Sequence, residues 1–398
     1  MGEVTASLSR IRRPFALLER LSVPGRTIWQ MMPIFVVFAM AFGAVAWRND
    51  TAPDVFTDEI LYTRLATRVA EEGALVWDSG RPIFVHPPLY FLAEGAFLAL
   101  TADTGTSLYT AGDIFAQVYH TRTFNAVLAG LTAVVLYVLG VRLRGAGLGI
   151  LFVALFLLDP FAVRTNRRAM IETMAALLTL SGLVVLLTGK EDDRRPLVRG
   201  IGAGLLLGAG LLTKDLMIFT IVAVFIFGYW ELWRRFPTAR RQDARALAAP
   251  FMAVGIAVLS YALVPAWALT TGYWDRFVSV KSLALQRLIG LVHTSGWNRP
   301  GVSLVELVAQ RLDTYGSSYL ILALGGVAAV VVLLLARRER AGRLLAVWGL
   351  VLYPIFAFVA VFGSGNDQFF YYLLLPAIIL IGYAITLLLE RWPCSKST

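Results

Sequence analysis

The sequence predicts an all-α polytopic membrane protein, a bundle of about ten transmembrane helices with two large external loops. Of its 398 residues, 58% are hydrophobic and only 16% charged. A soluble domain is roughly half apolar and about a quarter charged. The mean hydropathy is +0.69, and the apolar residues fall in runs such as 201–212, 320–335 and 369–389. Runs approaching about twenty apolar residues suit one crossing of a bilayer core. The third observation is charge placement: a net +10, from 36 basic and 26 acidic residues, is concentrated in short loops between those runs. Together these exclude a soluble enzyme, a disordered chain and a disulfide-framed secreted domain. Nucleic acid is excluded as a partner because no soluble domain offers a basic face. The lone Cys394 excludes an internal disulfide and a cysteine-based zinc site.

Taken in order, residues 1–30 form a polar, arginine-bearing segment expected in the cytoplasm, and 31–47 is the first apolar stretch. Ala44-Val45-Ala46 resembles a signal cleavage site, but the long polar leader favours a retained helix. Further crossings are expected at 122–141, 146–158, 170–188, 200–212, 216–232, 247–270, 318–336, 343–363 and 369–389. The loops 142–144, 189–199, 233–245 and 337–343 are rich in arginine and are expected to face the cytoplasm, as are both termini, including the tail 391–398. The alternating loops, 49–121 and 271–317 above all, then face outward. The first of these holds ten acidic and three basic residues. The apolar stretch 87–100 is read as interfacial or re-entrant, since counting it as a crossing would invert every later loop.

The stretch 200–232 crosses twice in 33 residues. At about 1.5 Å per residue, each arm falls short of a core of roughly 30 Å. Thr213-Lys214-Asp215 is therefore expected below the outer surface, where a lysine needs an anionic partner. Lys214 then pairs with Asp215, snorkels to the interface, or meets a lipid phosphate.

Several polar residues in the outward loops carry possible chemistry. Thr57 is a plausible helix N-cap, and Asp58 and Glu59 suit the first turn of that helix. Asp58 is alternatively a general base or a metal ligand. His86 precedes a Pro-Pro pair that favours extended chain and then a helix start. Arg164, Arg167 and Arg168 lie on an outside loop, against the topological bias, and Glu172 lies four residues after Arg168, a spacing that permits pairing on a helix. Asp58, Glu59, His86 and His293 are candidates for a divalent metal, although no ligand spacing indicates one.

These pieces converge on a resemblance. Phe56-Thr57-Asp58-Glu59, the helical stretch through Glu72-Gly73 and Val85-His86-Pro87-Pro88-Leu89-Tyr90-Phe91 resemble the first external loop of polyprenyl-phosphate-sugar-dependent glycosyltransferases. That superfamily, with the GT-C fold, includes protein O-mannosyltransferases and lipid A aminoarabinose transferases. The pattern continues in Arg122-Thr123-Phe124-Asn125, Asp159-Pro160, Arg168, Glu172, Leu211-Leu212-Thr213-Lys214 and Phe370-Tyr371-Tyr372-Leu373-Leu374-Leu375-Pro376, covering roughly 31–390.

The resemblance implies a glycosyltransferase domain over 31–390 that moves a sugar from a polyprenyl-phosphate donor to a hydroxyl of a lipid, glycan or protein at the external face of the cell membrane. Asp58 matches the acid that deprotonates the acceptor, with Glu59 completing the acidic pair. Lys214, Arg168 and Arg122 are implied as donor-phosphate contacts, supported by His86, Glu172, Tyr371 and Tyr372. His86 stands where the family often has lysine. One essential carboxylate favours inversion. Acceptor recognition is expected in 271–317, where Trp274, Arg276, Lys281, Arg287, His293, Trp297 and Arg299 are candidates. The alternative is a transporter or lipid flippase with Lys214, Arg168 and Glu172 in its pathway. Transporters usually show internal repeats, and none is found.

Overall fold

Sixteen α-helices and a single 3-10 turn make up the regular structure of the described residues, and no strand occurs among them. The computed structural model describes residues 24–51, 53–76, 80–101, 111–187, 196–235, 241–293 and 296–391. Most of the expected N-terminal segment, Lys190, Arg194, Arg195 and Arg240 of the basic loops, and the tail from 392 lie outside the described residues.

The helices are α1 (Pro24–Ala46), α2 (Thr57–Glu72), α3 (Leu89–Thr101), α4 (Ala111–Arg144), α5 (Ala146–Leu158), α6 (Pro160–Asn166), α7 (Ile171–Leu187) and α8 (Pro196–Thr213). After the turn Asp215–Met217 follow α9 (Ile218–Arg235), α10 (Arg241–Tyr261), α11 (Leu263–Thr270), α12 (Trp274–Leu288), α13 (Leu304–Gln310), α14 (Leu312–Ala336), α15 (Arg340–Val361) and α16 (Phe369–Arg391).

The chain is a multi-pass membrane protein. By length and composition seven helices among the described residues suit a crossing, or eight if the bent pair α5–α6 counts as one. Of the ten crossings expected, 31–47 and 170–188 correspond to the shorter apolar helices Met31–Ala46 and Ile171–Leu187. The break between α5 and α6 turns the chain by 74°. It falls at Asp159-Pro160, where proline disfavours a helical residue before it. The Asp159 carboxylate then caps α6, accepting the Ala162 N–H at 2.7 Å. α3 begins directly after Pro87-Pro88 and runs for 13 residues, well short of a crossing of about twenty residues.

Four helices, α7, α8, α9 and α10, pack side by side, and α9 joins them to α15. α14, α15 and α16 form a second group, with α4 and α5 between the two. α16 is the most enclosed span, with Tyr371–Leu380 almost wholly buried. α8 packs closely along α10. Gly204 faces the Ala253 carbonyl so tightly that a Cβ there would lie 2.8 Å from its oxygen. Small residues at spacing four let two backbones approach in a medium where lipid offers no hydrophobic drive. This packing fixes the C-terminal end of α8, and therefore Lys214.

At that same end of the bundle α2 and α3 lie across α4. Tyr62, Leu65, Tyr90, Phe91, Leu128, Met170 and Met174 make the apolar seam beneath them. Two polar bridges fasten α2 to α4: Thr63 to Thr121 at 3.1 Å, and Thr67 to Gln117 at 3.0 Å.

Candidate active site

The first turn of α2 separates the two adjacent acids. Phe56, not Thr57, is the N-cap residue, with extended backbone at φ −91° and ψ 145°. Thr57 is already helical, and the capping is done from the third position: the Glu59 carboxylate accepts the Phe56 N–H at 2.8 Å. Glu59 is fully buried and also accepts the Ala169 N–H at 2.9 Å. Arg122 grips it in a fork, Nε to Oε1 at 2.8 Å and Nη2 to Oε2 at 3.0 Å. The third guanidinium nitrogen donates to the Asn49 carbonyl at 2.6 Å.

Two residues expected at the site are thus joined to each other. Glu59 has no solvent-exposed face, and Arg122 is engaged by Glu59 and the Asn49 carbonyl. A buried bidentate pair of this kind offsets its desolvation only when its geometry is complete, as here. Its effect is to lock α2, α4 and the 167–170 connection to one another. Asn125 does the same from the next turn of α4, accepting from Tyr90 Oη at 3.0 Å and donating to the Met170 carbonyl at 2.9 Å.

Asp58, one residue before Glu59, is half-buried. Gln368 Nε2 donates to its Oδ2 at 3.1 Å. Arg168 lies nearby, its guanidinium 5.0 Å from the Phe56 ring centroid and Nη2 donating to the Asp54 carbonyl at 3.3 Å. Burial, and then the neighbouring Arg164, hold the Arg168 guanidinium below the ordinary arginine value. The expected Arg168–Glu172 pair does not form. α6 ends at Asn166 and α7 begins at Ile171, so no continuous helical turn brings the two side chains together.

Glu172 instead takes Lys214, Nζ to Oε1 at 3.0 Å, with the carboxylate fully buried and the lysine nearly so. Lys214 is extended, φ −148° and ψ 126°, between α8 and the 3-10 turn. Its neighbour Asp215 points elsewhere, to Lys281 Nζ at 2.8 Å and Tyr261 Oη at 2.6 Å. The Lys214–Asp215 alternative is therefore not what the structure shows. Tyr371 is buried and donates to Asn166 Oδ1 at 2.8 Å, while Tyr372 Oη is buried beside Glu172.

His86 is half-buried, its Nε2 3.1 Å from Tyr62 Oη. Burial, and then Lys214 and Lys281, hold the ring well below the ordinary histidine value. The imidazole is neutral at pH 7 and does not replace a lysine as a cation. Among the described residues no three His, Cys, Asp or Glu side chains group as metal ligands. Asp58, Glu59 and His86 are bonded instead to Gln368, Arg122 and Tyr62.

In the second long connection, Lys281 and Arg276 turn toward the site, Arg276 Nε donating to the Pro82 carbonyl at 3.3 Å. Trp297 is buried against Phe370 and is no surface anchor. Trp274 is 40% exposed and stacks on Phe277. Sequence reading passed over Gln368, Asp367 and Arg311. The signal available for them was the polar run Asn366-Asp367-Gln368 immediately before the aromatic start of α16.

No curated protein sequence matches the chain. Among solved structures, ArnT from Cupriavidus metallidurans bound to undecaprenyl phosphate superposes with a TM-score of 0.60 at 16% identity, over 93% of this chain and 61% of that one. The archaeal oligosaccharyltransferase AglB from Archaeoglobus fulgidus, in complex with an inhibitory peptide and a dolichol-phosphate, gives 0.58 at 13% identity, over 92% and 51%. The chain thus spans about half to three-fifths of the length of either. At these identities the likeness shows the fold, and it is the expected GT-C arrangement of membrane helices. Residues 35–274, more than half of the sequence, match the family described as dolichyl-phosphate-mannose-protein mannosyltransferase. The chain belongs to that family of GT-C membrane glycosyltransferases.

Proposed function

We propose that this protein transfers a sugar from a polyprenyl phosphate to an acceptor hydroxyl at the external face of the membrane, with Asp58 as general base. The observation that carries this is the division between the two acids. Glu59 is buried and spent on Arg122 and two backbone N–H groups, which fixes the first turn of α2. Asp58, half-buried on that same turn, is thereby held on a rigid support. A base on such a support needs little reorganisation before proton transfer.

In the reaction the acceptor oxygen attacks the anomeric carbon as its proton passes to Asp58. The bond from that carbon to the phosphate oxygen breaks, and polyprenyl phosphate leaves with the electron pair. With Glu59 unable to act as a second carboxylate, a single displacement with inversion is the matching stereochemistry. Lys214 and Arg168 meet the leaving phosphate. An ammonium has three donors, and Glu172 uses one of those on Lys214. Charge placed in a poorly solvated pocket acts most strongly on a developing anion. The lipid tail lies between helices, and the acceptor approaches from the 271–317 side. ArnT and AglB were solved with undecaprenyl phosphate and a dolichol-phosphate respectively, ligands of the class proposed for this site.

The test is reconstitution with radiolabelled polyprenyl-phosphate-mannose, the donor by which the family is described, and a delipidated envelope extract as acceptor. Asp58→Asn is expected to abolish label transfer while leaving the melting temperature unchanged. Turnover near the wild-type rate would refute the assignment.

A further inference from the structure

The connection between α15 and α16 is short, yet Asn366, Asp367 and Gln368 crowd into its end. Gln368 donates to Asp58 across 310 positions of chain. Asp367, beside it, accepts from Arg164 Nη1 at 3.1 Å and also from Arg311. The turn is thus tied to α6 on one side and to the start of α14 on the other.

The second long connection clasps the same turn. The Trp297 N–H donates to the Gly365 carbonyl at 2.9 Å, and its ring stacks on Phe370 with centroids 5.5 Å apart. The Asn298 amide donates to the carbonyls of Ala360, Val361 and Gly363 at 3.0, 3.2 and 2.8 Å. The Ser364 N–H donates to the Arg287 carbonyl at 2.8 Å. Gly296, at φ +80°, lies so close to Gly365 that no Cβ fits. A left-handed backbone and a close approach both require glycine there.

We propose that Gln368 is a positioning residue for Asp58, held in place by the clasp from Arg287, Gly296, Trp297 and Asn298, and that this is why the turn is so heavily fastened. The inference rests on Asp58 being the base. An uncharged amide orients a carboxylate without neutralising it. The turn's own cations, Arg164 and Arg311, are occupied by Asp367, and Arg168 bonds the Asp54 carbonyl. The second long connection, where the acceptor is expected, thereby becomes mechanically continuous with the base.

The experiment uses the full chain in liposomes with radiolabelled polyprenyl-phosphate-mannose and the same envelope extract. Gln368→Ala is expected to lower kcat by about 10–100-fold, the scale of a misplaced reacting group, with the donor KM and melting temperature unchanged. Gln368→Glu keeps the shape but sets a second carboxylate about 3 Å from Asp58, where both cannot ionise freely. The acidic limb of its kcat–pH profile should move to higher pH, which a side chain out of contact with the base would not cause. If Gln368→Ala fails to fold, that limb alone decides. Wild-type kcat and an unmoved limb, alongside an inactive Asp58→Asn, overturn the positioning role and leave the base assignment standing. An active Asp58→Asn overturns both.

Discussion

Asp58 and Glu59 are consecutive acids in one helical turn, and successive residues on a helix point about 100° apart. One therefore enters the α2–α4–α7 seam and meets Arg122, while the other stays half-buried and meets Gln368. Sequence reading identified the pair but not the split, because helical phase separates two neighbours only once the buried side is known. His86 shows a related limit. Its position before Pro87-Pro88 was legible, but its charge state depends on burial and on Lys214 and Lys281. An unfolded histidine protonates near pH 6.5, whereas the folded His86 resists protonation until lower pH. Between those values the unfolded state binds more protons, so this residue's contribution to stability is present above about pH 6.5 and is lost as pH falls. The melting temperature in detergent should drop less between pH 7.5 and 5.5 in His86→Gln than in wild type. Parallel slopes for the two proteins would count against a buried neutral ring.

Among elements, α8 shows how an apolar helix becomes a precise support. Its glycines at 200, 204 and 208 face α10, while Gly210 faces Thr179 of α7. The glycines facing α10 stand four apart in the sequence, a spacing whose use the packing reveals. Which helices they pack against was not legible there, because both partners are drawn from an equally apolar pool. Gly204→Leu should force α8 from α10 and cost about 1–3 kcal/mol through overpacking, lowering both melting temperature and transfer activity through displacement of Lys214. Gly202→Leu is the control, since a Cβ there meets only Val185 at an ordinary 3.9 Å. Equal tolerance of both changes would show that the close approach does not matter. The break between α6 and α7 belongs to this scale too. A continuous helix was implicit in pairing Arg168 with Glu172, and the chain instead turns at Arg167–Met170, with the Met170 carbonyl held by Asn125.

For the whole molecule, charge placement along the sequence implies that the Asp58 end faces outward and the arginine-rich loops inward. A cysteine-free background, Cys394→Ser, makes this testable. A membrane-impermeant maleimide should label Asp54→Cys in intact cells and Arg338→Cys only after permeabilisation. Both positions are exposed. The reverse pattern would invert the orientation and remove the external site. The fold class was legible because bilayer thickness sets helix length and because lipid requires every backbone group to be satisfied within a helix. Composition and periodicity carry that information locally. The acidic first connection and the outlying basic residues were legible for the same reason, as exceptions to an apolar background.

What only the tertiary structure decided is pairing. Glu59 with Arg122, Glu172 with Lys214, Asp215 with Lys281 and Asp58 with Gln368 join residues 42 to 310 positions apart. In an apolar medium an ionisable group is costly unless partnered, so the sequence by itself determined that each must find a partner. Which one it finds is a matter of which helix ends the packing brings together. That choice joined Glu59 to Arg122 and set Asp58 beside Gln368.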